Sequence, residues 1–377
     1  MSEAPVLLRE IAPPLADAVS WWRYLASAEP EVLRAILRRP AATPVARVRV
    51  GRPEGDVDLF LKLENYNITG SSKDRTARGM VNDLLVQGRL QPGDEIVEST
   101  SGNLGVALTL AARAYGFTFR AVVDPTLSPR AGALMTMLGA RIEVVSEADA
   151  SGGFLNARLA RVAQLCAEDP TRVWSNQYES LANVEAHYHG TAKELFDQLQ
   201  EPVDLVVAPI STGGTLAGVG RRARECHPTT GVVAADSVGS VALGGVPRPR
   251  LLTGIGSGRR SRLLDVIDID DRVLVSDVLA VSLCRLLADR LGLRLGGSSG
   301  AAVAACLIAA GERGVSTVAC ICPDGGDRYG HSVYDEGWRL RHGLDQPSIE
   351  LPDELSFVGW IAAPWTLMEG WEDGSDA

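Results

Sequence analysis

The chain has 377 residues, 46% of them hydrophobic and 22% charged, which suits a globular protein with one large or two medium domains. A net charge of −10 and a pI near 5.1 argue against nucleic acid or an anionic membrane as a partner. The opening "MSEAPVLLREIAPPL" carries acids and prolines, unlike a secretory signal, and no apolar run reaches bilayer-spanning length. A cytoplasmic protein is expected. Its six cysteines have no framework spacing and no CxxC pair, which fits reduced thiols.

In chain order, "SWWRYL" and "PEVLRAILRR" read as helices within the first 40 residues. Apolar, β-rich runs then alternate with helical patterns. "DEIVEST" leads into "NLGVALTLAARAYG", "FRAVVDP" into "SPRAGALMTMLGA", and "RIEVVS" into "GGFLNARLARVAQLCAED". "VDLVVAPI" precedes "GTLAGVGRRAREC", "GVVAADS" follows, and "GAAVAACLIAAGERG" precedes "STVACICPDGG". Such alternation predicts an α/β fold of parallel sheets covered on both faces by helices. The strands are too many for one small sheet, so two α/β domains are expected. Cys320 and Cys322 fall on one face of a strand and suit a buried apolar role. The closing "LMEGWEDGSDA" reads as a frayed tail or, with Trp365 and Trp371, as a flap over a site mouth.

Four small-residue turns carry the chemistry. In "NITGSSKDRTARGM", Lys73 sits between a turn and a helix start, where the helix dipole and lost solvation lower an amine pKa. Such a lysine can form a Schiff base, although a turn lysine on the surface would show the same pattern. "ESTSGNLG" offers Thr100, Ser101 and Asn103 with backbone N–H groups to a carboxylate, or simply caps its helix. "PISTGGTLAG" presents Ser211, Thr212, Gly213, Gly214 and Thr215 at a strand-to-helix junction suited to a phosphate, without a P-loop or dinucleotide fingerprint. In "LGGSSGAAVAA", Ser298 is placed either to meet a heteroaromatic nitrogen or to cap a helix. His187 and His189 are two apart, which on a helix points them to different faces and disfavours a shared metal. "PDGGDRYG" follows a strand and is expected to close the site.

Taken together, these turns resemble the pyridoxal-phosphate enzymes of the tryptophan-synthase-β fold type (fold type II), in the cysteine synthase and cystathionine β-synthase group. The resemblance spans roughly residues 40 to 335. "ATPVARV" is similar to the opening Thr-Pro strand, and "KLENYNITGSSKDRTA" to the lysine motif. "STSGNLG", "NQYESLANVEAHYHGTAKEL", "STGGTLAGV" and "GGSSGAAVAA" match the remaining segments. The resemblance implies open parallel or mixed sheets with pyridoxal 5'-phosphate between two domains. Residues 41–80 and 190–345 would form the large domain and 81–189 a smaller mobile one, with a helical extension over 1–40 and a tail over 346–377. It implies that Lys73 forms the internal aldimine and that Asn103 bonds the 3′-oxygen. Ser211, Thr212, Gly213, Gly214 and Thr215 would hold the 5′-phosphate. Ser298 would face the pyridine nitrogen and leave it unprotonated. Thr100, Ser101 and Gln177 would grip the substrate carboxylate, with Leu104 departing from the threonine usual in the family.

The implied reaction is β-replacement on an O-activated L-serine, O-phosphoserine or O-acetylserine, through an aminoacrylate. "AADSVGSVALGG" and "LLTGIGSGRRSRLL" look more like the branch that makes diaminopropionate precursors from glutamate (aminocarboxyethyl-glutamate synthases), with Asp236-Ser237 where sulfur enzymes show Glu-Pro. Arg259 and Arg260 are candidates for a second acidic group, and Arg130 for substrate phosphate. L-Glutamate is therefore the favoured nucleophile; a cysteine synthase and a serine or threonine dehydratase are the alternatives. The small amino acids are the expected partners, and a homodimer is the family default.

Overall fold

The strand-forming runs become two sheets in the computed structural model, which describes residues 41–345 except 54, 101, 150, 151 and 200, together with Arg34 and residues 355–362. The helices expected before residue 41, Trp365, Trp371 and Ser101 lie outside the described residues.

A seven-stranded sheet is formed by β1 (Val45–Val50), β2 (Val57–Leu63), β7 (Leu205–Pro209), β8 (Gly231–Ser237), β9 (Asp271–Val275), β10 (Thr317–Cys322) and β11 (Leu355–Ala362). Their spatial order is β11-β1-β2-β10-β7-β8-β9. From β2 to β9 all neighbours are parallel, whereas β1 pairs antiparallel with both β2 and β11. A second, wholly parallel sheet has the order β5-β4-β3-β6, from β3 (Glu95–Ser99), β4 (Thr118–Val123), β5 (Arg141–Val144) and β6 (Arg172–Trp174). Strand β11 corrects the reading of the C-terminal segment as only a tail, because residues 355–362 complete the ladder of β1.

Ten α-helices follow the strands among the described residues: α1 (Lys73–Val86), α2 (Asn103–Tyr115), α3 (Pro129–Met137), α4 (Leu155–Glu168), α5 (Leu181–Ala186), α6 (Lys193–Gln198), α7 (Gly214–Cys226), α8 (Asp277–Leu291), α9 (Gly297–Arg313) and α10 (Glu336–Arg341). Between α5 and α6 the chain forms a π-helical turn, His187–Ala192. Period-two alternation sorts the large sheet's side chains. Val318, Cys320 and Cys322 pack with α8 and α9, while Ala319 and Ile321 pack with α6 and α7 on the opposite face. A central strand buried on both sides therefore reads as a continuous apolar run. The smaller sheet packs Ile96, Phe119, Ala121 and Val123 against α1 and α2, and Val97 and Val122 against α4. No helix among the described residues is long and apolar enough to cross a membrane.

Candidate active site

Parallel strands in an open α/β sheet direct their carboxyl ends toward a ligand crevice. Three of the four turns read from the sequence leave such ends, and the fourth, at Ser298, follows α8. Lys73 opens α1 after β2, and Asn103 opens α2 after β3. Gly214 opens α7 after β7, and Ser298 lies in the first turn of α9. Backbone bonds tie these turns to the end of β10. The Ser72 amide donates to the Pro323 carbonyl at 2.8 Å, and the Gly296 amide to the Asp324 carbonyl at 3.0 Å. Bridges join Ser71 to Asp324 and Leu295 to Gly325.

Lys73 stands at the first position of α1 with partial solvent exposure. Burial holds its amine below the usual lysine range, against the opposing pull of Asp324 and Glu64. A depressed amine pKa supplies the neutral nucleophile that Schiff-base chemistry needs. The Ser72 hydroxyl beside it is buried without a hydrogen-bond partner. Behind the lysine, buried Arg75 is held by Glu64 and Glu194. Its Nε donates to Glu64 Oε2 and its Nη1 to Glu194 Oε1, each at 2.6 Å.

The turn at 211–215 is shaped by close backbone approach. Gly213 adopts φ +98°, and a Cβ there would meet Ser261 Oγ at 2.3 Å; one at Gly214 would meet Asn183 Cγ at 2.3 Å. Only glycine meets both demands. The N–H groups of the first turn of α7 have no intrahelical acceptor, and the dipole favours an anion there. Thr212 and Thr215 are buried at this turn. Thr215 Oγ1 lies 3.2 Å from His187 Nε2, which is 3.0 Å from Thr76 Oγ1. Burial, with the nearby charge of Lys73, presses the His187 pKa down to about 3, so its ring is neutral. His189 is exposed and pairs with Glu185 at 3.3 Å. Among the described residues no cluster of His, Cys, Asp and Glu could hold a metal ion.

Asn103 and Ser298 converge on the carboxylate of Asp324, which is 1% exposed. Asn103 Nδ2 donates to Oδ2 at 2.7 Å and Ser298 Oγ to Oδ1 at 3.2 Å, with the Tyr329 hydroxyl as a further donor. Thr100 and Gln177 are buried at the end of the smaller sheet. The Thr100 amide donates to the Val122 carbonyl at 3.1 Å. Gln177 Nε2 donates to the Ser99 carbonyl at 2.9 Å, which fixes the segment that follows β6. Leu104 is buried in the helix core and offers no hydroxyl.

The arginines separate. The Arg259 guanidinium lies 5.5 Å from the centre of the Tyr178 ring and 3.8 Å from Glu179. Burial pushes the Tyr178 hydroxyl up to about 12, against the charges of Arg158, Arg259 and Arg250. Of these, Arg259 lies over Tyr178, beside Gln177, while Arg158 pairs with Asp124 at 3.3 Å and Arg250 donates to the Ile255 carbonyl at 3.0 Å. Arg260 is 76% exposed and pairs with Asp265 at 2.7 Å. Arg130 is 54% exposed and reaches Asp327 at 3.2 Å, in the turn after Asp324. Sequence reading missed Arg158, Tyr178, Arg250 and Tyr329. Tyr329 and Asp324 share the "PDGGDRYG" stretch, whose proximity to the site was the available signal; Arg158 sits mid-helix with none.

This donor set fits pyridoxal phosphate. The lysine amine is depressed in pKa, an unpartnered hydroxyl adjoins it, and a glycine-built anion cradle lies at a helix N-terminus. Comparison with known proteins agrees: the chain belongs to the pyridoxal-phosphate dependent enzyme family, whose profile matches residues 36–324. Two curated relatives are both called N-(2-amino-2-carboxyethyl)-L-glutamate synthase. That of Ralstonia nicotianae is 44% identical over 79% of this chain and 87% of its own length. That of Cupriavidus metallidurans is 40% identical over 82% and 92%. Among solved structures, an O-acetylserine dependent cystathionine β-synthase from Helicobacter pylori superposes with a TM-score of 0.72 at 30% identity, covering 79% of this chain and 96% of its own. An O-ureido-L-serine synthase gives 0.70 at 31%, covering 80% and 95%.

Proposed function

We propose that this pyridoxal-phosphate enzyme carries out β-replacement on an O-activated L-serine, O-phosphoserine or O-acetylserine, with the amine of L-glutamate as the nucleophile. The observation that carries the choice of nucleophile is Arg259, whose guanidinium lies 5.5 Å from the centre of the Tyr178 ring, beside Gln177. A site for sulfide needs no such charge, whereas a dicarboxylic amino acid brings an extra carboxylate that guanidinium groups match in geometry. The names of the two curated relatives support the same reading.

When bound, pyridoxal phosphate supplies the electron sink that acidifies the substrate α-carbon. The remaining work falls to the chain. Ser211 to Thr215 anchor the phosphate, while Asn103 and Ser298 orient the ring. Thr100 and Gln177 hold the substrate carboxylate, together with Ser101. Lys73 Nζ takes the α-proton as the leaving group departs and returns it after the nucleophile adds at the β-carbon. Arg130, near the mouth, is assigned to substrate phosphate, and Arg259 with Arg260 to the second acidic group. Residues 81–189 form the smaller unit that closes over 41–80 and 190–345, and the working form is a cytoplasmic homodimer.

The test is an absorbance scan of the purified protein, repeated after O-phosphoserine and O-acetylserine are added separately. A visible band is expected, changed by one donor and restored by glutamate. Restoration by sulfide but not glutamate would replace the reading with a cysteine synthase. Keto-acid release without any nucleophile would make it a dehydratase, and a protein with no band after adding the cofactor would refute the whole assignment.

A further inference from the structure

Glu98 stands two residues before Thr100, in a strand with no exposed residue, and the reading above gives it no role. A buried acid is costly unless its oxygens are occupied. All four of its partners donate, and they come from two segments. Oε1 accepts from the Ser99 amide at 2.9 Å and from Trp174 Nε1 at 3.4 Å. Oε2 accepts from the Gln177 amide at 3.0 Å and from Ser175 Oγ at 2.7 Å. Between these last two donors lies Asn176, the only non-glycine among the described residues with a left-handed φ, +50°. Glu98 therefore holds the chain on both sides of a bend that is uncommon for an L-residue.

That bend presents Gln177. Its side-chain Nε2 donates to the Ser99 carbonyl at 2.9 Å, and its own carbonyl accepts from Asn183 Nδ2 at 3.0 Å. A carbonyl only accepts, so the amide nitrogen must face Ser99, and Nε2 keeps a second hydrogen for another acceptor.

The arrangement does not depend on the charge of Glu98. Burial raises its pKa, against Ser175, Gln177, Ser99 and Trp174. Of the four partners only Ser175 Oγ can also accept, so a neutral acid would carry its proton on Oε2, toward that hydroxyl. Both oxygens would still have a lone pair for the backbone amides. Glutamine could not do this. Its one carbonyl oxygen serves one backbone amide, and its NH2 group confronts the other, whichever way it is turned.

We propose that Glu98 is a positioning residue for the substrate α-carboxylate: by accepting the Ser99 and Gln177 amides on separate oxygens, it holds the loop that carries Thr100 and the segment that carries Gln177 at the spacing that lets both donate to one carboxylate. The proposal rests on the reading that Thr100 and Gln177 grip that group.

In the test, cofactor-loaded wild type and Glu98→Gln are titrated with L-alanine, which has no leaving group, and with L-alaninamide, which lacks the carboxylate. Binding is read from the change in the visible band. In Glu98→Gln the dissociation constant of L-alanine is expected to rise about tenfold, the scale of one lost buried hydrogen bond, with that of L-alaninamide unchanged. Equal weakening of both ligands, the mark of a merely structural role, overturns the proposal, and so does weakening of neither. If Glu98→Gln does not take up cofactor, hydrogen exchange in the wild type decides. The Gln177 amide, whose acceptor is Glu98, is expected to exchange at least about a hundredfold more slowly than exposed loop amides, and exchange at the loop rate overturns the proposal. Gln177→Ala separates the two failures. Unchanged L-alanine binding in that variant would remove the carboxylate reading beneath the proposal, whereas weakened binding there beside full binding in Glu98→Gln would overturn this proposal alone.

Discussion

His187 is buried without exposed surface, and its ring nitrogens face only threonine hydroxyls: Thr191 at 2.9 Å on Nδ1, and Thr76 and Thr215 on Nε2. Burial first, and the Lys73 charge second, press its pKa from the ordinary 6.5 to about 3. A group whose folded pKa is depressed contributes stability that is complete above its unfolded pKa and is lost as pH falls toward the folded one. Its share should therefore decline from pH 6.5 downward, by roughly 2 kcal/mol at pH 5. His187→Gln, which keeps a neutral polar side chain, should flatten the dependence of the urea midpoint between pH 6.5 and 4. An unchanged slope would show that other groups control acid stability. The neutral state of His187 was hidden from the sequence, because its partners stand on three separate segments. Lys73 was legible, because a lone amine between "TGSS" and a helix start is a local pattern.

The start of α7 shows why the small-residue turns were readable as elements. Gly213 and Gly214 satisfy a left-handed φ and a close approach to Ser261 and Asn183, and both demands leave a mark in the sequence. Asn183 Nδ2 in turn donates to the Gln177 carbonyl at 3.0 Å and to Thr212 Oγ1 at 3.3 Å, so this helix start and the segment after β6 share one bracket. Gly214→Ala should push Asn183 away, cost about 1–3 kcal/mol of stability by overpacking, and weaken pyridoxal-phosphate affinity about tenfold or more. Fluorescence titration of apo-protein with the cofactor, beside a thermal melt, would measure both. Unchanged affinity would mean that the cradle tolerates a methyl group. The elements that escaped sequence reading lack such marks. Strand β11 is partly exposed, with Phe357 at 42%, and depends on a distant partner. The π turn at 187–192 carries no composition that separates it from the α-helix on either side.

At the scale of the molecule, a buried ionic network connects segments far apart in the chain. Lys62 on β2 donates to Glu194 on α6 at 3.0 Å and to Gln198 at 2.8 Å, and Glu194 also holds Arg75 on α1. Burial opposes the charge of Glu64, but Arg75, Lys62 and Thr43 outweigh it and hold its pKa at about 2. Glu194→Ala would leave the Lys62 and Arg75 charges without their shared partner. A loss of about 3–5 kcal/mol is expected in denaturant unfolding, and a loss below about 1 kcal/mol would show that water enters to replace the carboxylate. The Glu194 pairs were not legible, since ion pairs across more than a hundred residues leave no periodic trace. The strand order has a consequence for synthesis on the ribosome. All four strands of the smaller sheet lie within residues 95–174, so its hydrogen-bonded ladder is available early. The large sheet places β10 between β2 and β7, so β2, made among the first segments, waits for Thr317–Cys322 to emerge before its inner edge is covered. During that interval the nascent chain carries an unpaired apolar edge, the kind of surface that chaperones shield.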